Sequence, residues 1–302
     1  MPPKSSVPVL APAFTTKAPG SAFHYVEPVT GGDDVLTSSF AGVMRTNGRT
    51  GALVEQVFDR GRTVCWGARS IDGGRVVAAA FGTQELFVKR AATLVGPFRT
   101  EGIACRTSLS DDGAIVAVQV ANKALVVLDA ETLAVRWQKD LKKSFANGAS
   151  LDERGERLAC AGTDGLVRIF DTRDPEPVAH AQTNGWVNDL DFRADRIAVG
   201  GRGKSVHVLD GAGAAVRSLA YGATIQRVSL SHDAKRCVAS STKGAALVWD
   251  VATGEALARI DAGDGVTSAT FSRAAEGPTG YRLVASLGPE HAPAALGTWY
   301  VP

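Results

Sequence analysis

The chain has 302 residues, of which 45% are hydrophobic and 21% charged, and its 33 basic side chains are nearly balanced by 31 acidic ones. This is ordinary globular composition, neither that of a disordered chain nor that of a membrane protein, and no apolar run approaches the roughly 18 residues needed to cross a bilayer. A formal net charge of +2 gives no field that would single out nucleic acid or an anionic membrane surface as the partner.

In chain order, the first segment is Met1-Pro-Pro-Lys-Ser-Ser-Val7-Pro-Val-Leu-Ala-Pro-Ala-Phe14. Its prolines interrupt what would be the apolar core of a signal peptide, so a cytoplasmic location is expected. Short strand-like runs then follow, separated by polar turns. Three copies are clearest: Ser108 to Asp129, Ser150 to Asp171 and Ser229 to Asp250 each read strand, polar turn, strand, short turn, strand, Asp. Weaker copies lie at Asp191 to Asp210 and after Ser70. With the first polar turn as anchor, the series is Gly32, Gly73, Gly113, Gly155, Arg196, Ala234 and Ala275, at spacings of 38 to 42 residues. A four-stranded sheet cannot bury both faces alone, whereas sheets stacked around an axis bury each face against a neighbour. The spacing therefore predicts one all-β domain over 1–302, a seven-bladed β-propeller.

The last unit stops one strand short at Leu296-Gly-Thr-Trp-Tyr-Val301, and Val7 to Phe14 is a spare extended segment. Residues 1–15 are therefore expected to form the closing strand and amino-terminal arm, supplying the outer strand of blade seven, where proline is tolerated because an edge leaves half its donors unpaired. Cys65, Cys105, Cys160 and Cys237 are widely spaced within apolar runs, which fits buried, reduced thiols and an intracellular compartment.

In blade six, Leu247-Val248-Trp249-Asp250 followed by Thr253-Gly254 resembles the WD40 repeat, and Phe170-Asp171 and Leu209-Asp210 are looser forms of that ending. The Gly-His pair that precedes each WD40 blade is missing, so the resemblance does not carry over that family's His-centred hydrogen bonds. Leu128 to Trp137 is also similar to the repeats of quinoprotein-type propellers. The WD40 resemblance implies a rigid scaffold that binds protein or peptide partners on the narrow rim of a central channel.

Motifs for chemistry are few. Ala198-Val-Gly-Gly-Arg-Gly203-Lys204-Ser205 approximates a phosphate-binding loop, but such a loop must lead into a helix, and Val206 to Asp210 continues as a strand, so a hairpin turn is expected. The five histidines have no metal-site spacing, and His207 reads as a structural residue with its hydrogen bonds satisfied. Asp33-Asp34 and Asp111-Asp112 fall at turns, where Asp bonds the local backbone. No catalytic residue, metal or cofactor is therefore assigned.

Eight residues before each anchor stand His24, Cys65, Cys105, Asn147, Asn188, Gln226 and Thr267, all polar or thiol. The WD40 resemblance puts these positions at the start of the innermost strands, on the rim. Two residues earlier, Phe145 and Trp186 share that rim by strand alternation. The candidate partner site is Phe145, Asn147, Trp186, Asn188, Arg202 and Gln226, because aromatic and Arg side chains concentrate interface energy. The alternative for these residues is that the aromatics plug the inter-blade groove while the amides tie neighbouring strands. The expected function is a non-enzymatic interaction scaffold, as a free adaptor or one subunit of a larger complex. Its rival is a lactonase-like hydrolase or quinoprotein-like oxidoreductase with a site in the channel mouth, which would need convergent acidic, His and Arg groups.

Overall fold

The structure is a computed structural model that describes residues 7–17, 23–39, 42–59, 65–71, 76–121, 123–141, 146–242, 244–262, 265–288 and 295–302. Its strands form seven four-stranded antiparallel sheets among the described residues. Blades one to six occupy 23–58, 65–99, 104–140, 146–182, 187–220 and 227–260, each running in chain order from the innermost strand outwards. Blade seven takes three strands from 266–300 and its outer strand from Phe14–Lys17.

Two repeated turns explain the sequence pattern. Between the first and second strands, Ser110 and Ser231 accept the amides of Ile115 (3.0 Å) and Arg236 (2.9 Å), while Asp112 and Asp233 accept those of Ala114 (2.9 Å) and Lys235 (3.1 Å). In blades three to six the Asp that ends the third strand caps the next turn. Asp129 accepts the Thr132 amide at 2.9 Å, Asp250 the Thr253 amide at 2.8 Å, and Asp210 the Ala214 amide at 2.8 Å. In blade five the first turn tightens to Ala194 and Asp195, both at positive φ (43° and 59°), so Arg196 begins the second strand instead of sitting in the turn. This is the two-residue hairpin geometry, and it shortens the spacing to the next blade.

Middle strands are buried on both faces, and each sheet face packs against a neighbour. Trp249, 2% exposed, lies among Val206, Val208 and Leu219 of blade five, and Phe170 lies among Ile115, Val127 and Trp137 of blade three. The Trp137 indole donates to the Thr172 carbonyl at 2.8 Å, so its one polar atom is satisfied on burial. Cys160 and Cys237 are free and buried in these layers, and burial pushes the Cys160 thiol up to about 12. No helix of the described residues is long and apolar enough to cross a membrane.

The amino-terminal segment closes the ring, with a boundary that differs from the sequence expectation. Phe14 to Lys17 pair antiparallel with Thr298 to Ala295, whereas Val9 bridges in parallel to Arg259 on the outer edge of blade six. Pro8 and Pro12 lack the amide hydrogens a ladder requires, and the Phe14-Thr-Thr-Lys17 run supplies them. The segment therefore grips two blades: the Leu10 amide donates to Arg259 O of blade six and the Arg259 amide donates to Pro8 O, both at 2.9 Å, and the Trp299 indole of blade seven donates to Leu10 O at 3.2 Å. On the other side of blade seven, the buried Arg282 donates to the Val29 and Asp34 carbonyls of blade one at 3.3 and 3.1 Å.

Candidate functional site

The innermost strands have one edge turned to the channel, and its amides and carbonyls must find partners outside their own sheet. Side chains of the neighbouring blade supply them. Ser108 accepts the Leu151 amide (2.8 Å), Ser150 that of Phe192 (3.2 Å), Asp191 that of Leu230 (2.8 Å) and Ser229 that of Phe271 (3.2 Å). Five of the polar positions singled out by sequence, His24, Cys105, Asn147, Asn188 and Thr267, are the extra residue of a β-bulge in the innermost strand. In blade two the bulged residue is Trp66, next to Cys65, and in blade six Gln226 directly precedes the strand, its amide donating to Ser240 O at 2.9 Å. A bulge leaves its residue unpaired and re-aims the side chain, and in blades four and five this frees the Asn147 and Asn188 amides to bond outside their own sheet.

The amides use that freedom to join blades. Asn147 donates to the Val187 carbonyl of blade five at 2.9 Å, and Asn188 donates to the Ile225 carbonyl at the start of blade six at 2.8 Å. Arg106 of blade three reaches across blade four, donating to Asn147 O at 3.2 Å and lying 3.6 Å from Asp189 of blade five. Blades four and five approach closely at Gly148, where a Cβ would stand 2.9 Å from the Leu190 amide nitrogen.

At the opposite end of the innermost strands an ion-paired hub spans the channel. Asp111 of blade three accepts from Arg193 of blade five at 2.9 and 3.3 Å and from Arg273 of blade seven at 2.6 Å. Arg273 also lies 3.4 Å from the buried Glu27 of blade one. Burial alone would raise the Asp111 carboxyl, but Arg273 and Arg193 outweigh it and hold it below the usual range. The Asp111 side chain thus crosses the channel and does not bond its own turn, as the sequence reading had it; Asp112 alone does that. The nearest partner is 82 residues away, beyond any local pattern.

On the rim, Trp186 is 44% exposed and the Arg202 guanidinium stacks over its indole at 3.7 Å. The two are joined through backbone as well, the Arg202 amide donating to the Trp186 carbonyl at 2.9 Å. The phosphate-loop-like motif is the hairpin between Arg196–Gly201 and Ser205–Asp210, and its Gly201 is required by close approach, since a Cβ there would overlap the Trp186 carbonyl. Beneath Trp186 lies a void of about 10 Å³, lined in part by His207. His207 stands on the strand as expected, but its Nε2 has no hydrogen-bond partner, and burial depresses its pKa. The structure therefore brings Trp186 and Arg202 into contact, with Asn147 and Asn188 as half-buried ties and Gln226 half-buried in the next blade. Phe145 lies outside the described residues. Lys204, exposed in the same hairpin as Arg202, adds a second cation that the candidate patch does not contain.

Sheet order, closure and axial hub define the class: a seven-bladed β-propeller. No protein-family model and no curated protein matches the sequence. Among solved structures, a chain from the crystal structure of a mitotic checkpoint complex is similar, with a TM-score of 0.80, 17% identity, and coverage of 99% of this chain and 98% of that one. In all, 1883 solved chains match, so the likeness assigns architecture and not a task.

Proposed function

We propose that this chain is a non-enzymatic, WD40-like interaction scaffold of the cytoplasm that binds a protein or peptide on the rim of blades four to six. The observation that carries this reading is the exposed Trp186 with Arg202 laid over it, a rigid aromatic and cationic anchor of the type that dominates interface energy. Two further observations support it. The channel carboxylates Glu27, Asp111 and Asp189 each lie within ion-pairing distance of an arginine of another blade, which engages them as ties between blades. The rim stands on strands cross-linked through side chains, a stiff platform for recognition by loops. Buried free thiols at Cys160 and Cys237 fit a reducing compartment.

The test is affinity capture from native lysate with wild type and with a Trp186→Ala, Arg202→Glu double variant, both shown to be folded by circular dichroism and thermal melting. A protein that co-purifies with wild type and is lost from the variant is the expected result. Capture of the same protein by both would move the binding face elsewhere on the ring.

A further inference from the structure

Most cationic side chains among the described residues have an oxygen partner. Among Lys and Arg residues whose side chains are described, all but Lys17, Arg202 and Lys204 engage a carboxylate or a carbonyl oxygen; exposed Arg173, for example, is held by Asp171 and exposed Lys123 by Glu101. Two of the three exceptions occupy one hairpin. Lys204 sits there at φ +62°, a conformation in which glycine or asparagine is the ordinary choice. The hairpin thus holds two exposed cations with no acid of its own, beside Trp186, the one aromatic among the exposed large hydrophobics of the described residues.

An apolar recess adjoins them. Tyr221 and Gly222 donate their amides to the Lys204 carbonyl at 3.0 and 2.9 Å, and together with Ala223, Ala245 and Leu247 they line a groove of about 290 Å³. The one guanidinium on its wall, Arg259, is occupied by Asp261 at 2.8 Å, so the groove offers apolar surface while the hairpin offers charge. On the other flank, the Asp164 hairpin of blade four already holds Arg168 at 2.6 Å. Among the described residues of this sector the unpaired positive charge therefore belongs to one hairpin, which suits a carboxylate or two and not the long row of phosphates that nucleic acid presents.

We propose that this sector docks an acidic peptide segment, with its carboxylates on the Arg202 and Lys204 hairpin, its backbone or an apolar side chain against Trp186, and a second apolar side chain in the Tyr221 groove. The inference rests on the scaffold reading above and adds the chemistry of the partner. Charge complementarity of this kind sets specificity and on-rate, and stacking holds the Arg202 fork in place for a carboxylate.

The experiment is fluorescence anisotropy on the full chain with three labelled peptides of one length, repeating Glu-Glu-Leu, Gln-Gln-Leu and Lys-Lys-Leu, and with single-stranded oligothymidylate. The acidic peptide is expected to bind at least about tenfold more tightly than the Gln peptide, with an affinity that falls as salt rises. Arg202→Glu with Lys204→Glu should abolish that preference, and Lys17→Glu, which reverses the third unpaired cation away from the hairpin, should leave it unchanged. Melting temperatures of all variants verify folding. Equal binding of the Glu and Gln peptides, or a preference that survives charge reversal, overturns the acidic partner. If binding is nonetheless lost with Trp186→Ala, the rim remains a peptide site and only the charge assignment falls. Tighter binding of oligothymidylate than of the acidic peptide would overturn the proposal in favour of nucleic acid, and no binding of any peptide would overturn it outright, leaving the scaffold reading to the capture experiment.

Discussion

The two ends of the channel use the same residue types to opposite effect. At the hub, Arg193 and Arg273 are buried and share Asp111 across blades three, five and seven; on the rim, Arg202 is exposed, stacked on Trp186 and without an acid. A buried cation must be paired, because desolvation costs several kcal/mol per ion and only a close counter-charge offsets it. An exposed cation faces no such demand, and one left unpaired is free to recognise something else. The contrast teaches that an arginine in this ring is read by its partners, not by its type.

The largest expected effect breaks the frame that both ends share. Removing residues 7–17 deletes the outer strand of blade seven and the bridge to blade six, and should lower the melting temperature by on the order of 10 °C, as followed by circular dichroism. A smaller truncation ending before Phe14 should cost markedly less, because the antiparallel ladder begins there.

Next comes the hub. Arg273→Met strips Glu27 and Asp111 of a shared cation and should cost about 3 kcal/mol in urea unfolding, the scale of breaking a buried pair. The same variant tests a pH dependence whose sign follows from the lowered Asp111 pKa. A carboxyl that titrates lower in the folded chain than in the unfolded one contributes stability above the unfolded value of about 3.9, and loses it as pH falls through the folded value. Wild type should weaken over that acid range, and Arg273→Met should weaken less steeply, since less of the stabilisation remains to be lost. Asp152, which burial raises, acts with the opposite sign and softens the wild-type slope.

The smallest effect is at the rim. Trp186→Ala with Arg202→Glu should change unfolding free energy by no more than about 0.5 kcal/mol, as exposed substitutions do. If it costs as much as Arg273→Met, the division into a structural end and a recognition end fails.

Much of the ring was legible in the sequence because its determinants are local. The Asp that ends the third strand in blades three to six and the Ser-x-Asp of the first turn in blades three and six act within a few residues, so they recur at blade spacing. The polar position at the start of the innermost strand was visible as well, although its cause, a bulge, is a property of strand pairing and not of residue type. The hub was not legible. Asp111 looks like any turn aspartate, and its partners at 193 and 273 stand near it only once the ring has closed. The rim lies between these cases: Trp186 follows from repeat register and Arg202 from its place in the blade-five hairpin, and the two are in contact, while the Tyr221 groove, made by two loops of different blades, had no sequence signal.

Closure by Phe14–Lys17 also imposes an order of events. The strand that completes blade seven precedes the other described strands of the ring in chain order, and the strand it pairs with, Ala295–Tyr300, follows them. During synthesis the early segment has no partner, and six sheets can assemble as an open crescent whose terminal faces are bare. The latch engages only when both ends meet, a contact between distant parts of the chain that is slow to form. Until then the exposed faces are the chain's point of vulnerability to association with other nascent copies.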